Sequence, residues 1–233
     1  MLSFNLIFLI LICITLAKNE SSDEFLTHYW PIYNSSMNDV IDNADMSQGI
    51  STIYVSDRFG KSNSALGLNG GWTQVPSGIY LNANTFTISV WIYPQNVGSY
   101  SRIIDFGNGN PYDNVILRLS TGSDLKPGFV LYTKQSGQVF QTTNFLTTQN
   151  WQLITVTYNS SNISFYVNGS LELSKKCSYA RFNELRKLNY IGKGWSDSNH
   201  FYSSSYIDDL RFYNKCLTQN EILDLMYQKD TGE

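Results

Sequence analysis

Oxygen-bearing side chains crowd one short stretch of the sequence. Asp105, Asn108, Asn110, Asp113 and Asn114 bring carboxylates and amide carbonyls together within a single predicted loop region. Calcium takes about six to eight oxygen ligands of these types, so the stretch is a candidate calcium site, although its spacing is not that of an EF-hand. The alternative is that these Asp and Asn residues only make turns, by bonding their own backbone.

Aromatic residues form a second candidate site. Tyr112 lies inside the stretch above, and Trp195, His200 and Tyr202 cluster in a late polar segment. Aromatic rings such as those of Tyr and Trp combine an apolar face with a polar group, which suits stacking on a sugar and bonding its hydroxyls. We therefore predict glycan binding by Tyr112, Trp195, His200 and Tyr202. The alternative is that these rings pack against the body of the domain.

Adjacent carboxylates at Asp208 and Asp209 are a third candidate, because a β-bulge there would aim one of them at an ion. The alternative is that they satisfy backbone donors or pair with arginines, the candidates being Arg58, Arg102 and Arg211. No metalloprotease, nucleophile-elbow, P-loop or dinucleotide motif occurs in the sequence. The prediction is a non-catalytic protein. The alternative is a carbohydrate-active hydrolase with an unrecognised carboxylate pair.

Composition narrows the class of partner. Of the 233 residues, 15% are aromatic, and the net charge is −3 without a basic run. Abundant aromatic residues favour β-structure, and the lack of a basic stripe argues against nucleic acid as a partner.

Met1 to Ala17 has the pattern of a signal peptide. Residues 2–17 are almost wholly apolar, and Thr15-Leu16-Ala17 fits the expected cleavage positions. We predict cleavage, a secreted chain that begins near Lys18, and no membrane span in the mature protein. The alternative is an uncleaved anchor. A span of about 20 apolar residues is usual for crossing a bilayer, and this segment is shorter.

Export has two further consequences. Cys177 and Cys216 lie outside the signal segment, and two cysteines in a secreted chain often pair, so we predict a disulfide between them; two free thiols are the alternative. Five Asn-x-Ser/Thr triplets occur; the one at Asn19 lies close to the predicted cleavage site, and the other four predict glycosylation at Asn34, Asn159, Asn162 and Asn168.

Alternating side chains indicate which elements position the candidate residues. The apolar row Phe86, Ile88, Val90 and Ile92 alternates with a row that includes Trp91, which predicts a strand covered on both faces. Residues 102–106 and 115–119 predict two more strands, so the candidate calcium residues lie in and around the connection between them.

Further strand patterns fill most of the chain. Residues 151–173 predict a three-stranded meander that includes a tight turn at Asn168-Gly169, and Asn69-Gly70 predicts a hairpin between residues 64–68 and 71–75. A bulge at Asp208-Asp209 restores the alternation of residues 206–213.

Helix signals are few. Ser178 to Lys187 is predicted to contain a short helix, and a capping box of Thr218 and Glu221 predicts a C-terminal helix. Together the elements predict an all-β fold, a two-sheet antiparallel β-sandwich with a short C-terminal helix. The predicted sandwich covers residues 27–227, between a polar lead-in of residues 18–26 and a tail of residues 228–233.

Six segments, in order, resemble the laminin-G-like jelly-roll family, which has the concanavalin A-like fold of lectins, pentraxins and some glycan hydrolases. They are F-T-I-S-V-W-I-Y-P at 86–94, R-I-I-D-F-G-N-G at 102–109, D-N-V-I-L-R-L at 113–119, W-Q-L-I-T-V-T-Y at 151–158, I-S-F-Y-V-N-G at 163–169 and Y-I-D-D-L-R-F-Y-N-K-C-L at 206–217. The resemblance covers nearly all of residues 27–227. It implies a concanavalin A-like jelly roll that binds glycans or proteins outside the cell.

The resemblance also bears on the calcium hypothesis. Pentraxins have an Asp-Asn pair before the equivalent strand as calcium ligands, and Asp113-Asn114 matches that pair. Their Glu-Gln-Asp run corresponds to a segment in which only Asp197 carries over, so two expected ligands are missing. The predicted calcium residues are therefore Asp105, Asp113, Asn114 and Asp197.

The function that follows is a secreted, non-catalytic module that binds an extracellular glycan or glycoprotein, with calcium as a candidate cofactor. The alternative is a structural or adhesive protein–protein module without a sugar site. The acidic strand motif Glu-x-Asp-x-x-Glu of the hydrolases on this fold is absent from the sequence.

Overall fold

The computed structural model describes residues 22–96, 98–109, 112–122, 124–134, 136–179, 181–195 and 202–228. Within these ranges a short 3₁₀ helix at Ser22–Phe25 precedes fourteen strands and one α-helix. The strands are β1 (Leu26–Trp30), β2 (Ile53–Val55), β3 (Ala65–Gly67), β4 (Thr73–Val75), β5 (Thr85–Pro94), β6 (Arg102–Gly107), β7 (Val115–Arg118), β8 (Gly128–Tyr132), β9 (Gly137–Gln141), β10 (Gln152–Asn159), β11 (Asn162–Val167), β12 (Ser170–Lys176), β13 (Leu188–Ile191) and β14 (Ser205–Tyr213). The helix α1 is Gln219–Tyr227.

These strands form two antiparallel sheets, which confirms the predicted all-β sandwich. In the described residues, an eight-stranded sheet has the order β12-β11-β10-β5-β14-β3-β2, with β1 also paired to β14. A six-stranded sheet has the order β4-β13-β6-β7-β8-β9. Strands distant in sequence are neighbours in both sheets, as the jelly-roll prediction requires.

The strand β5 lies at the centre of the eight-stranded sheet, between β10 and β14. Its apolar row of Phe86, Ile88, Val90 and Ile92 is completely buried in the core between the sheets. Each such side chain contributes about 1.5–3 kcal/mol through removal of apolar surface from water. Trp91 points the other way and packs beneath α1, so both faces are covered, as predicted.

The helix α1 has the predicted capping box. Thr218 Oγ1 accepts a hydrogen bond from the Glu221 amide, and Glu221 Oε2 accepts one from the Thr218 amide at 2.8 Å. These bonds satisfy amides that a helix otherwise leaves without partners at its first turn. Leu217 and Ile222 are buried in the same apolar cluster, with Trp91. The cap therefore fixes the helix over the outer face of β5.

The meander and the bulge are also confirmed. β10, β11 and β12 pair in sequence order. Asn168 and Gly169 between β11 and β12 have φ values of 48° and 72°, which the predicted tight turn requires. The register of β14 against β5 shifts between Asp208 and Arg211.

The predicted hairpin at Asn69-Gly70 is wrong. A turn does form, since Gly70 has φ of 85°, but the strands that flank it do not pair. β3 pairs with β2 and β14 in one sheet, and β4 pairs with β13 in the other. Each strand finds a long-range partner, so the turn carries the chain from one sheet to the other.

The predicted helix within Ser178 to Lys187 is also wrong for the described residues of that stretch. The fully buried guanidinium of Arg186 donates to the carbonyls of Phe182 at 2.8 Å, Arg181 at 2.8 Å and Glu184 at 3.3 Å. A side chain thus satisfies carbonyls that helical amides would otherwise bond. The segment is an irregular loop wrapped around one arginine.

The predicted disulfide does not form, because both Cys177 and Cys216 are free. Cys177 follows β12 and is buried in the core between the sheets. Cys216 precedes α1, where the side chain of Thr157 bonds it. Thr157 lies on the face of β10 opposite the core residues Val156 and Tyr158. The two thiols are therefore on opposite sides of the eight-stranded sheet, where they cannot bridge.

Some predictions concern parts of the chain that the structure does not describe. The signal segment and most of the predicted tail lie outside the described residues. Among the residues that are described, no helix has both the length and the apolar character needed to cross a membrane. Asn34, Asn159 and Asn168 are exposed and Asn162 is half-buried, and glycosylation at these four positions stays a prediction.

Candidate functional site

The start of β7 separates the side chains of Asp113 and Asn114. Asp113 has φ of 55°, a left-handed conformation that lets the chain turn sharply into the strand. Asn114 is fully buried, and its Nδ2 donates to Asp105 Oδ1 at 2.9 Å. The Asp113 carboxylate instead pairs with Arg181, with Oδ1 2.7 Å from Nε and Oδ2 3.2 Å from Nη2. The three described calcium candidates therefore divide into a buried pair, Asp105 and Asn114, and Asp113, whose side chain is 14% exposed beside Arg181.

Asp105 is completely buried on β6. Burial raises its pKa to about 6, and this outweighs the lowering effects of Arg102, the Asn114 side chain and the Trp195 amide. Arg102 Nε lies 3.6 Å from Asp105 Oδ2. Burial also lowers the pKa of Arg118, whose neighbour Arg102 adds repulsion. The environment of Asp105 is that of a buried structural carboxyl group beside one cation, Arg102.

These residues do not fit a calcium ion well. Asp105 faces a guanidinium and the amide nitrogen of Asn114, and the Asp113 carboxylate is taken by Arg181. Calcium requires several oxygen ligands that converge on one point. In the part of the chain that is described, no three His, Cys, Asp or Glu side chains are grouped to hold a metal. Asp197, the fourth predicted ligand, lies outside the described residues.

A surface cleft lies on the other side of Asp113. Its volume is about 400 Å³, and its described lining residues are Tyr112, Asp113, Thr133, Lys134 and Arg181. The Tyr112 side chain is 40% exposed, and Lys134 Nζ lies 5.5 Å from the centre of its ring. The cleft thus combines an exposed aromatic ring, an ion pair held by two contacts, and a lysine. We name it the Tyr112 cleft.

The loop that carries Tyr112 is anchored on a neighbouring segment. The Tyr112 carbonyl accepts from the Asn108 amide at 2.9 Å, and the Asn108 side chain bonds the backbone of Leu185 and Lys187. The Asp113 carbonyl accepts from Arg186 Nε at 2.8 Å. These contacts join the loop between β6 and β7 to the loop around Arg186. The loops that carry Tyr112 and Arg181 are therefore joined to each other by hydrogen bonds.

Comparison with known proteins decides the family. The family model described as the concanavalin A-like lectin/glucanases superfamily matches residues 68–223, which is more than half of the chain. The chain belongs to this superfamily. The sequence matches none of the curated proteins with which it was compared.

Solved structures share the superfamily's fold. Domain 4 of AbnA, an extracellular arabinanase of Geobacillus stearothermophilus solved with arabinotriose, has a TM-score of 0.73 at 22% identity, over 86% of this chain and 98% of that one. Botulinum neurotoxin type C, whose cell entry depends on two gangliosides, has a TM-score of 0.68 at 18% identity, over 87% of this chain. The serotype D ligand-binding domain, solved with N-acetylneuraminic acid, has a TM-score of 0.66 at 16% identity. This superfamily member spans about half of each toxin chain, 51% and 52%.

Of the other predicted glycan residues, Tyr202 lies far from Tyr112. Tyr202 is 39% exposed, and its backbone lies next to Gly98, before β6 begins. Tyr112 follows the end of β6, and six strand residues at about 3.3 Å each separate the two places by about 20 Å. Trp195 is half-buried, and its backbone amide donates a hydrogen bond to the Asp105 side chain. His200 lies outside the described residues.

Sequence reasoning missed three residues of the Tyr112 cleft, Thr133 and the two cations Lys134 and Arg181. Lys134 follows β8, and Arg181 lies in the stretch that was predicted to contain a helix. Neither lies in a recognisable motif, and both are distant from Tyr112 in sequence. Only the pairing of β7 with β8 and the loop around Arg186 bring them to the same place.

The carboxylates at the β14 bulge have a structural environment. Arg58 Nη1 lies 2.7 Å from Asp208 Oδ2 and 2.7 Å from Asp209 Oδ2, and Arg211 Nη2 lies 3.0 Å from Asp209 Oδ1. The Tyr29 hydroxyl donates to Asp209. Burial, followed by the charge of Asp209, raises the pKa of Asp208 to about 8. The predicted pairing with Arg58 and Arg211 is confirmed, whereas Arg102 lies elsewhere, beside Asp105.

Proposed function

We propose that this chain is a secreted, non-catalytic glycan-binding module whose binding site is the Tyr112 cleft. The observation that carries the proposal is the exposed ring of Tyr112 beside the Asp113–Arg181 ion pair and Lys134, around a cleft of about 400 Å³. An aromatic face with charged hydrogen-bonding groups at its edge matches the mixed apolar and hydroxyl surfaces of a sugar.

The ion pair gives the cleft preorganised donors and acceptors. Two parallel contacts hold the Arg181 guanidinium against Asp113, so neither side chain needs to be ordered when a ligand binds. The remaining lone pairs of Asp113 can accept from sugar hydroxyls, and Lys134 can donate to them. We expect the Tyr112 ring to supply the apolar contact and these groups to supply orientation.

The structural neighbours support the same class of ligand. One was solved with arabinotriose and another with N-acetylneuraminic acid, and a third enters cells through gangliosides. At identities of 22% and below, the likeness itself establishes only the fold, so these ligands guide the choice of probes.

Secretion and the absence of catalysis are parts of the proposal. Secretion is supported by the signal-peptide pattern of Met1 to Ala17. A non-catalytic role is supported by the environment of the carboxylates, since Asp208 and Asp209 both pair with Arg58 and Asp113 pairs with Arg181. Calcium-assisted binding is tested separately in the same experiment. That hypothesis rests on Asp105, Asp113, Asn114 and Asp197.

The test is a glycan array probed with the purified protein and two variants. Tyr112→Ala should lose binding, whereas Tyr227→Ala, which removes a 75% exposed ring at the end of α1, should bind as the wild type does. A parallel array with chelator reports on calcium. The absence of any sugar signal with and without calcium would overturn the proposal and favour an adhesive protein–protein module.

A further inference from the structure

One side of the sandwich is open, where each sheet ends in an edge strand. β9 is the last strand of the six-stranded sheet, and β12 is the last strand of the eight-stranded sheet. The Gln138 side-chain oxygen of β9 accepts from the amides of Ser178 at 2.9 Å and Tyr179 at 3.1 Å, just beyond β12. This bridge fixes the distance between the two edges on the open side.

A series of cavities follows this side. The Tyr112 cleft shares Thr133 and Arg181 with a second cavity of about 240 Å³ that reaches Gln138 and Ser178. A third cavity of about 500 Å³ lies farther along β9 and β12, and it shares no described lining residue with the other two; it is lined by Lys126, Val139, Gln141, Thr142, Thr143 and Lys175. We name the three together the side groove. The first and third cavities lie at opposite ends of β9, whose five residues span about 17 Å at about 3.3 Å each, and this separation suits an extended chain more than a single small ring.

The described lining of the side groove includes four cations and one carboxylate. The cations are Lys126, Lys134, Lys175 and Arg181, and the carboxylate is Asp113. This lining contrasts with the net charge of −3 of the whole chain. The fold has therefore gathered basic residues on this side from separate segments.

Neighbouring acids neutralise only some of these cations. Arg181 pairs with Asp113 and, at 3.2 Å, with Glu184, and Lys126 lies 4.0 Å from Asp124. Among the described residues, Lys134 and Lys175 have no ion-pair partner. One uncompensated ammonium group thus lies near each end of the side groove. A ligand that carries repeated negative charges would meet both.

We propose that the side groove binds a linear acidic oligosaccharide, whose carboxylate or sulfate groups contact Lys134 and Lys175 while one sugar stacks on Tyr112. This inference rests on the proposed glycan-binding function and adds the charge class and the length of the ligand. The lysines would attract the chain and select it against neutral glycans.

The test uses calorimetry with hexamers and trimers of galacturonate, sulfated galactan hexamers and neutral galactan hexamers. Both acidic hexamers should bind at least about tenfold more tightly than the neutral hexamer, and this advantage should shrink as salt is raised. Galacturonate and sulfated probes separate the two sources of charge. A trimer should show less of the advantage, because it cannot reach both lysines.

Lys175→Gln should weaken the acidic hexamers by about two- to fivefold, within the range for one exposed charge contact, and leave the neutral hexamer unchanged. The matched control is Lys176→Gln, the exposed next residue of β12, whose side chain points to the opposite face. Equal binding of neutral and acidic hexamers, or equal effects of the two substitutions, would overturn the proposal for the side groove. Neither result would contradict glycan binding at the Tyr112 cleft. If Tyr112→Ala binds none of the hexamers, the result supports glycan binding at the Tyr112 cleft. Failure of all probes to bind the wild type would overturn both.

Discussion

Asp113 and Asn114 are neighbours in sequence, but their side chains enter different environments. Asp113 Oδ1 lies 2.7 Å from Arg181 Nε at the surface, whereas Asn114 Nδ2 donates to the buried carboxylate of Asp105. A calcium site would need both side chains to face one ion. Their divergence instead creates a rigid interior hydrogen bond and an outward-facing acidic group beside Tyr112.

The substitution Asp113→Asn should separate binding from stability. It removes a charge from the Asp113 side chain, which is 14% exposed and pairs with the 53% exposed Arg181, and such a partly exposed pair contributes about 1 kcal/mol or less, so the melting temperature should fall only slightly. Glycan affinity should fall about tenfold, because a charged acceptor is replaced by a neutral one. Titration calorimetry and thermal melts measure the two effects. Asp224→Asn on α1 is the control, and an equal loss of affinity there would contradict the assignment.

The substitution Asp105→Asn should change how stability depends on pH. The pKa of Asp105 is raised in the folded state to about 6, so the folded protein holds this proton more tightly than the unfolded chain does. Stability from this group is therefore present at low pH and is lost as pH rises from about 4 to about 6, by about 3 kcal/mol. In Asp105→Asn that loss should disappear.

Denaturant unfolding at several pH values tests this, with the difference between variant and wild type as the readout. The difference is needed because Asp208, whose pKa is also raised, adds a change of the same sign over a wider range. Parallel pH profiles for the wild type and Asp105→Asn would contradict the assigned pKa.

The substitution Arg58→Met should destabilise the fold strongly. Arg58 lies 2.7 Å from both Asp208 and Asp209 in a buried site, so its loss leaves the negative charge of this buried acidic pair with less compensation. Breaking such a buried ion pair costs about 3–5 kcal/mol. Adding Asp208→Asn to Arg58→Met should recover part of the loss. Chemical denaturation measures both, and a double variant no more stable than the single one would argue against the charge explanation.

Calcium is tested by thermal melts with added ion and with chelator. The two described carboxylates of the predicted site pair with Arg102 and Arg181, so we expect the melting temperature to stay within error under both conditions. A clear rise with calcium that Asp197→Asn abolishes would reinstate the predicted site. Asp105→Asn cannot serve here, because it also changes a buried hydrogen bond.

The fold was predictable where the signal is local. Alternation in β5, the capping box at Thr218 and the turn at Asn168-Gly169 each arise within a few residues, and each is observed. The Asn69-Gly70 turn misled because turn chemistry is local but strand pairing is not. β3 and β4 gain more from long-range partners in two different sheets than from each other.

The site was predictable only in part. Tyr112 and Asp113 stand out in sequence because an aromatic ring and a carboxylate lie side by side in one loop. Lys134 and Arg181 carry no such signal, since only strand pairing and the loop around Arg186 bring them to that loop. Conversely, the sequence groups Asp105 with Asp113, but strand β6 places Asp105 in the interior.

The glycan-binding role of the Tyr112 cleft is tested most directly by measuring the affinity of one array-selected glycan for the wild type, Tyr112→Ala and Tyr227→Ala. We predict that Tyr112→Ala loses at least about tenfold in affinity, the effect expected when a stacking ring is removed, with an unchanged melting temperature. Tyr227→Ala should bind normally. Full affinity in Tyr112→Ala would contradict the central claim.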